Sequence, residues 1–434
     1  MTSIFILDNA CELLGGLRLV LENDIFLDEV HLKLREEVKD FVRWVDPKLI
    51  RAMDAEEVDY PFEFYREAGR RNLLGLRFPK KYGGRELDWI ADCVALEEIS
   101  IFGAGMGCSY AMPIIVGEAI NTFGTEEHKK KYLVPMLKGE LVSAEGLTEP
   151  RGGSDFFGTN TIAEKDGDVY YLTGEKRFIA GAKAADLFLL YARTNPDPKV
   201  PGHKAISAFL VEKKMGVEIA ETYGLLGFRG MGTARIRLDG VEVPEENLLL
   251  GENRGREVFN RMMLPERLTS AAGSLGARAS LELAMKYASM RKAFGAPIRM
   301  FQGVSFKIAD CLTKLDAARA LTLTAAKQAD RDPDSYETRR LVSEAKLFAT
   351  KVAWEVVNDA MQILGGIGYT QVYPLEKALR DTRLGIIWTG SNEIMQLIIQ
   401  HEAYRKLMGG KLEKERDIEL DAIEAHKVAE KVYE

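Results

Sequence analysis

The stretch Leu147-Thr148-Glu149-Pro150-Arg151-Gly152-Gly153-Ser154-Asp155 stands where one hydrophobic rhythm gives way to another. Before it, from about residue 25 to 145, apolar residues recur at helical spacing, as in Phe26, Val30, Leu34 and Val38. Asp59-Tyr60-Pro61 predicts a helix start with Pro in the first turn. Thr125-Glu126-Glu127 predicts another, with acidic residues where the helix dipole favours them. After the stretch, from about 146 to 252, the period is two. Val169-Tyr170-Tyr171-Leu172-Thr173 follows an Asp166-Gly167 turn and predicts a hairpin. Ala234, Ile236, Leu238 and Val241 predict a strand with one buried face, interrupted at Gly240. From about 253 to 408 the helical period returns in long Ala-rich runs, with Leu281, Leu283, Ala284, Tyr287 and Ala288 on one face. The expected fold class is α+β: an N-terminal α-helical domain (25–145), a middle β-barrel or sandwich domain (146–252) and a C-terminal four-helix bundle (253–408). Residues 1–24 form an N-terminal extension and 409–434 a charged tail, and no internal repeat is evident.

The chain has 434 residues, with 59 Lys+Arg against 66 Asp+Glu for a net charge of −7. That acidic balance argues against a nucleic-acid partner, which calls for a basic face. Four cysteines, at 11, 93, 108 and 311, form no CxxC pair, and the five histidines are scattered. A zinc site and a disulfide framework are therefore not expected, and reduced thiols in the cytoplasm are. No apolar run is long enough to span a membrane, and Asp8 and Glu12 interrupt the apolar N-terminus, which fits neither a secretory nor a transit signal.

On residue types alone, 147–155 is a Gly/Pro-rich loop whose glycines permit close approach to a flat or phosphorylated ligand and whose Thr148 and Ser154 offer hydroxyls. Further along stand Phe178-Ile179-Ala180, Arg291-Lys292-Ala293-Phe294-Gly295, Phe301-Gln302, Gln362-Ile363-Leu364-Gly365-Gly366-Ile367-Gly368-Tyr369, Arg380-Asp381 and Thr389-Gly390-Ser391-Asn392-Glu393-Ile394. In order and spacing this set resembles the FAD-dependent acyl-CoA dehydrogenase family, over roughly residues 25 to 408. Arg151 and Gly152 replace the Gly-Ala of the family's L-T-E-P-G-A-G-S-D signature, and Phe178-Ile179-Ala180 replaces its W-I-T element. Gly230-Met231-Gly232 and Gly365-Gly366-Ile367-Gly368 lack the strand-to-helix context of a nicotinamide fingerprint, so no Rossmann domain is expected.

The resemblance implies FAD bound between subunits of a homo-oligomer, a dimer that pairs into a tetramer. Leu147, Thr148, Gly153, Ser154, Phe178, Ile179 and Ala180 would border the flavin and pyrophosphates. Arg291, Phe294, Gln302, Gln362 and Gly366 would reach the same cofactor from a neighbour, with Ser391 and Glu393 also in its site. Ser154, Thr194, Ser109, Met112, Arg267, Thr389 and Gly390 are the implied substrate contacts. The implied substrate is an acyl-CoA thioester, polarised at its carbonyl by backbone and the 2′-OH of FAD, with electrons passing to an electron-transfer flavoprotein.

The reaction needs a carboxylate to take an α proton. Many members keep it in a Y-E-G-T element, where this chain has Trp388-Thr389-Gly390-Ser391 and so a neutral hydroxyl. Isovaleryl- and long-chain-type members carry the glutamate just before an Arg on a different helix, and Leu264-Pro265-Glu266-Arg267-Leu268 stands there. Pro265 suits a first helical position, placing Glu266 in a first turn. Glu266 is thus the expected base. Asp92, Glu97 and Glu98 read as a solvated or interface face, and Cys108 as a small pocket or core residue. Three alternatives stay open because of Thr389: a non-catalytic flavin- or CoA-binding subunit, an acyl-CoA oxidase, and an alicyclic acyl-CoA dehydrogenase of unusual regiochemistry.

Overall fold

A computed structural model describes residues 24–409; the extension and almost all of the charged tail fall outside the described residues. The longer helices of the N-terminal part are α1 (Glu29–Trp44), α2 (Trp89–Ile99) and α3 (Ala104–Phe123). On α1, Leu34, Val38 and Phe41 face inward, while Phe26 and Val30 are exposed, so the apolar stripe turns inward one turn later than the spacing suggested. α2 is buried on every face. Its Asp92, Glu97 and Glu98 are accordingly not solvated: they meet Arg77 (3.3 Å), Arg319 (3.0 Å) and Arg278 in buried ion pairs. A buried carboxylate must be paired, and here each arginine supplies that pairing from another element.

The middle part is one mixed sheet of eight strands: β1 (Ser143–Gly146), β2 (Ile162–Asp166), β3 (Val169–Ile179), β4 (Leu187–Arg193), β5 (Ile206–Glu212), β6 (Glu218–Thr222), β7 (Ala234–Pro244) and β8 (Leu248–Leu249). The order is β6-β7-β3-β2-β4-β5-β8, with β1 parallel to β4. The Asp166-Gly167 turn does close the β2–β3 hairpin, with Gly167 at φ 58°. Gly240, also at positive φ, does not end β7; the β3–β7 register shifts beside it and the strand continues, as at a bulge. Leu187, Leu189 and Tyr191 of β4 join the core shared with the helices, whereas Phe188, Leu190 and Ala192 join the sheet's own core. Burial on both faces explains why β4 reads as an unbroken apolar run.

The C-terminal part holds α4 (Gly255–Ser274), α5 (Arg278–Met290), α6 (Gln302–Arg331), α7 (Tyr336–Leu364), α8 (Leu375–Gly385) and α9 (Asn392–Gly409). α7 packs against α4, α5, α6 and α9. Pro265 corrects the expectation: it lies inside α4 and not at its start, so Glu266 has no help from a helix N-terminus. Burial of every residue from Met262 to Ala272 against neighbouring elements outweighs the one backbone bond that proline removes.

Candidate active site

One cavity of about 1730 Å³ opens between β1 with its following loop, the end of β3, α3, α4 and the 388–391 loop. Leu147, Thr148, Gly153 and Ser154 line it, as do Phe178, Ile179 and Ala180. From the other elements come Met112, Glu266, Arg267, Thr389, Gly390 and Ser391. Residues scattered over almost 280 positions of sequence, and grouped only by the resemblance, therefore share one space.

The 147–155 loop owes its shape to Glu149, which turns away from the cavity. Its carboxylate accepts from Lys176 Nζ (2.8 Å), Thr161 Oγ1 (2.6 Å), the Asn160 N–H (2.6 Å) and Thr159 Oγ1. Burial pushes this carboxyl up, but Lys176 and the two threonines outweigh it and hold it at about 2. Arg151 turns back onto Asp155 (2.6 Å). The Arg177 N–H bonds Thr148 O (2.8 Å), tying this loop to the strand that presents Phe178. Phe178 itself sits at φ 58°, half-exposed, with Tyr223 and the Arg177 guanidinium against its ring.

Opposite this wall, Glu266 projects from mid-helix and is buried. Burial raises its basicity; a hydrogen bond with Glu145, then the charges of Arg267 and Lys346, pull it partly back, and the net shift is upward. Burial, with the Glu266 charge second, lifts the Cys108 thiol to about 12, so it stays neutral. Thr389 sits at φ 51° with its hydroxyl buried and unpartnered, and has no charge to offer. Lys346 holds this loop from behind, donating to Gly390 O (2.7 Å) and Asn392 Oδ1 (2.9 Å).

Glu145 and Lys346 were not singled out in the sequence. The signal for Lys346 was present: it falls in the helical phase of Val342 and Ala349, where a lysine needs a buried partner. Glu145 was a lone charge two residues before Leu147. Two expected contacts do not line the cavity. The Ser109 hydroxyl bonds Met106 O (2.8 Å) inside α3, and Thr194 Oγ1 lies within bonding distance of Ser207 Oγ (2.7 Å) and Asn253 Oδ1 (3.0 Å). Arg291, Phe294, Gln302, Gln362, Gly366 and Glu393 also lie outside it, and are exposed on the bundle. Phe294 is 95% exposed at the tip of a tight turn, where it and Gly295 take positive φ.

The acyl-CoA dehydrogenase N-terminal, middle and C-terminal domain models match residues 28–140, 144–241 and 253–404. An acyl-CoA dehydrogenase of Bacillus subtilis is 38% identical over 380 residues, covering 87% of this chain and 97% of its own. The chain belongs to the acyl-CoA dehydrogenase family. Butyryl-CoA dehydrogenase of Megasphaera elsdenii superposes with a TM-score of 0.82 at 32% identity, over 87% of this chain and 99% of that one. A chain from the structure described as the electron transferring flavoprotein of Acidaminococcus fermentans gives 0.83 at 34%, over 88% and 99%.

Acyl-CoA dehydrogenases are FAD-dependent oxidoreductases acting on CH–CH bonds, and this chain is one of them. The cavity suits that cofactor. A half-exposed aromatic held at positive φ and a run of small and aliphatic residues make one wall, and Thr389 and Thr233, whose buried hydroxyls have no partner, line the same space. Among the described residues no group of His, Cys, Asp and Glu could hold a metal, and no helix is long and apolar enough to cross a membrane.

Proposed function

We propose that this acyl-CoA dehydrogenase removes the α proton of an acyl-CoA thioester with Glu266, the placement seen in isovaleryl- and long-chain-type members. The observation that carries the reading is the buried Glu266 carboxyl, shifted toward basicity, facing the cavity while Thr389 offers only a hydroxyl. FAD, held by Leu147, Thr148, Gly153, Ser154 and residues 178–180, supplies the acceptor for the hydride that leaves the β carbon.

The remaining work belongs to the chain. As a carboxylate, Glu266 accepts a proton from a weak carbon acid, and burial makes it a stronger acceptor than an exposed glutamate. Arg267 donates to Ser343 Oγ (3.1 Å), which fixes the cation next to the base. Trp388 Nε1 donates to Ser270 Oγ (3.2 Å) and ties the 388–391 loop to the helix that carries Glu266. Met112, Phe156 and Phe259 add apolar lining that excludes water around an acyl chain.

The likeness to the Acidaminococcus chain supports an electron-transfer flavoprotein as electron acceptor. We also propose a homo-oligomer, a dimer of dimers, in which Arg291, Phe294, Gln302, Gln362 and Gly366 meet a neighbour's FAD. Phe294, Met300 and Phe306 support it, since large apolar side chains this exposed in one protomer mark a contact face. Free, buried Cys93, Cys108 and Cys311 suit a reducing compartment, the cytoplasm. The domain limits 25–145, 146–252 and 253–408 are likewise our division.

The test is anaerobic mixing of the yellow protein with straight, branched and alicyclic acyl-CoA esters. Bleaching of the flavin bands by one class names the substrate shape. Undiminished bleaching in Glu266→Gln removes Glu266 from the mechanism.

A further inference from the structure

Glu145, on β1, and Glu266 line the same cavity, where their carboxyls are near enough for each to act on the other's proton. Two carboxylates offer only acceptors, so that contact is attractive only when one of them carries a proton. Oε1 of Glu145 is buried with no donor, and the Tyr191 hydroxyl beside the same carboxyl also has no well-formed partner. β1 is placed firmly, its Ala144 and Gly146 locked in parallel register against Phe188 and Leu190 of β4. The approach is therefore a property of the fold and not of a loose side chain.

We propose that Glu145 and Glu266 form a carboxylic acid–carboxylate pair sharing one proton, in which Glu145 is a positioning residue that donates to the base. It rests on Glu266 being the base. The shared proton orients the free oxygen of Glu266 toward the substrate. When Glu266 takes the α proton, the substrate's C–H bond breaks, a carboxyl O–H bond forms, and the hydride leaves the β carbon for the cofactor. The pair then carries two protons and no charge. A dry cavity favours that change, because it converts a buried anion into two neutral groups.

The surrounding groups agree on which carboxyl keeps the proton. Burial comes first for Glu145, followed by the charge and hydrogen bond of Glu266, and only Tyr191 opposes them; the shift is far upward. Glu266 faces Cys108 of α3, which stays neutral, Arg267 on its own helix and Lys346 of α7. Arg339 and Glu402 act on Arg267, and Glu393 acts on Lys346, without facing the pair directly. Arg267 thus stands on the Glu266 side, joined by Lys346 only while it is protonated, since burial holds that lysine to about 7, so Glu266 is the ionised member.

The experiment follows anaerobic flavin reduction against pH for wild type, Glu145→Gln, Glu145→Leu and Glu266→Gln. The probe is whichever of butyryl-, isovaleryl- or cyclohexanecarbonyl-CoA reduces the wild-type flavin fastest. The wild-type rate rises as the pair loses its first proton and falls as it loses the second, since a dianion opposes further negative charge on the substrate. Glu145→Gln, whose amide still donates, keeps the rise and loses the fall, staying within about tenfold of wild type at neutral pH. Glu145→Leu loses more than Glu145→Gln at every pH. A Glu145→Gln profile that superimposes on wild type overturns the pair while leaving the base untouched. Full reduction in Glu266→Gln overturns the base itself. A second readout needs no substrate: the infrared difference spectrum of wild type against Glu145→Gln at neutral pH shows a protonated carboxyl band, and its absence also overturns the pair.

Discussion

Glu145 in β1 and Glu149 in the loop that follows stand four residues apart, and their carboxyls meet opposite fates. Glu149 turns into the protein, where Lys176 and the hydroxyls of Thr159 and Thr161 hold it ionised at about 2. Glu145 turns into the cavity, where its neighbours are another carboxyl and a phenol, and burial pushes it well above the usual range. Burial raises both carboxyls, and what faces each of them parts the two. A carboxylate supplied with donors is a structural anchor, while one left with acceptors and apolar walls holds its proton. The same contrast separates Glu149, which shapes the signature loop, from Glu266, which faces the reaction space.

The largest expected effect lies on the reactive side. Glu266→Gln should cost about 10²- to 10⁴-fold in substrate-driven flavin reduction, the range for a positioned acid or base, with flavin still bound. Stopped-flow absorbance of the flavin band measures it.

On the structural side, Glu149→Gln strands the buried Lys176 ammonium without its counter-charge. The expected cost is about 3–5 kcal/mol, read from urea unfolding of the holoprotein. Lys176→Met with Glu149→Gln should recover much of it; a double variant as unstable as the single would show that the loop needs the charge pair as such. The sign with pH follows from a folded pKa of about 2 against an ordinary 4.5. The Glu149 contribution is complete above 4.5 and fades as pH falls toward 2, so the wild-type advantage over Glu149→Gln should shrink across that window. An advantage independent of pH would mean that the carboxylate is not what stabilises the loop.

Smaller effects sharpen the same contrast. Thr389→Ala should lower flavin reduction by less than about tenfold, under 1.4 kcal/mol, because the threonine carries no charge to transfer. Pro265→Ala restores a backbone donor in mid-helix and should leave both the rate and its pH dependence close to wild type. A large loss there would show that the proline aims Glu266.

Much of this molecule was legible in its sequence. The change of period around 147–155, the Asp166-Gly167 turn and the long Ala-rich runs determine a helical, β, helical order, because backbone geometry imposes periods of 3.6 and 2 on whatever is buried. Of the motif residues, Leu147, Thr148, Gly153, Ser154, residues 178–180, Glu266 and Thr389 to Ser391 share one cavity, whereas Arg291, Phe294, Gln302, Gln362, Gly366 and Glu393 lie outside it. Local signals misled where tertiary burial overrode them: Pro265 read as a helix start, and Asp92 with Glu97 and Glu98 as a solvated or interface face. What only the tertiary structure decided is the charge state of the site. Glu145, Glu149 and Glu266 are the same residue type in the sequence. Which of them receives a lysine, which an arginine and which another glutamate depends on elements such as β3, β4 and α7 that lie far along the chain, and Coulomb and desolvation energies depend on distance in space.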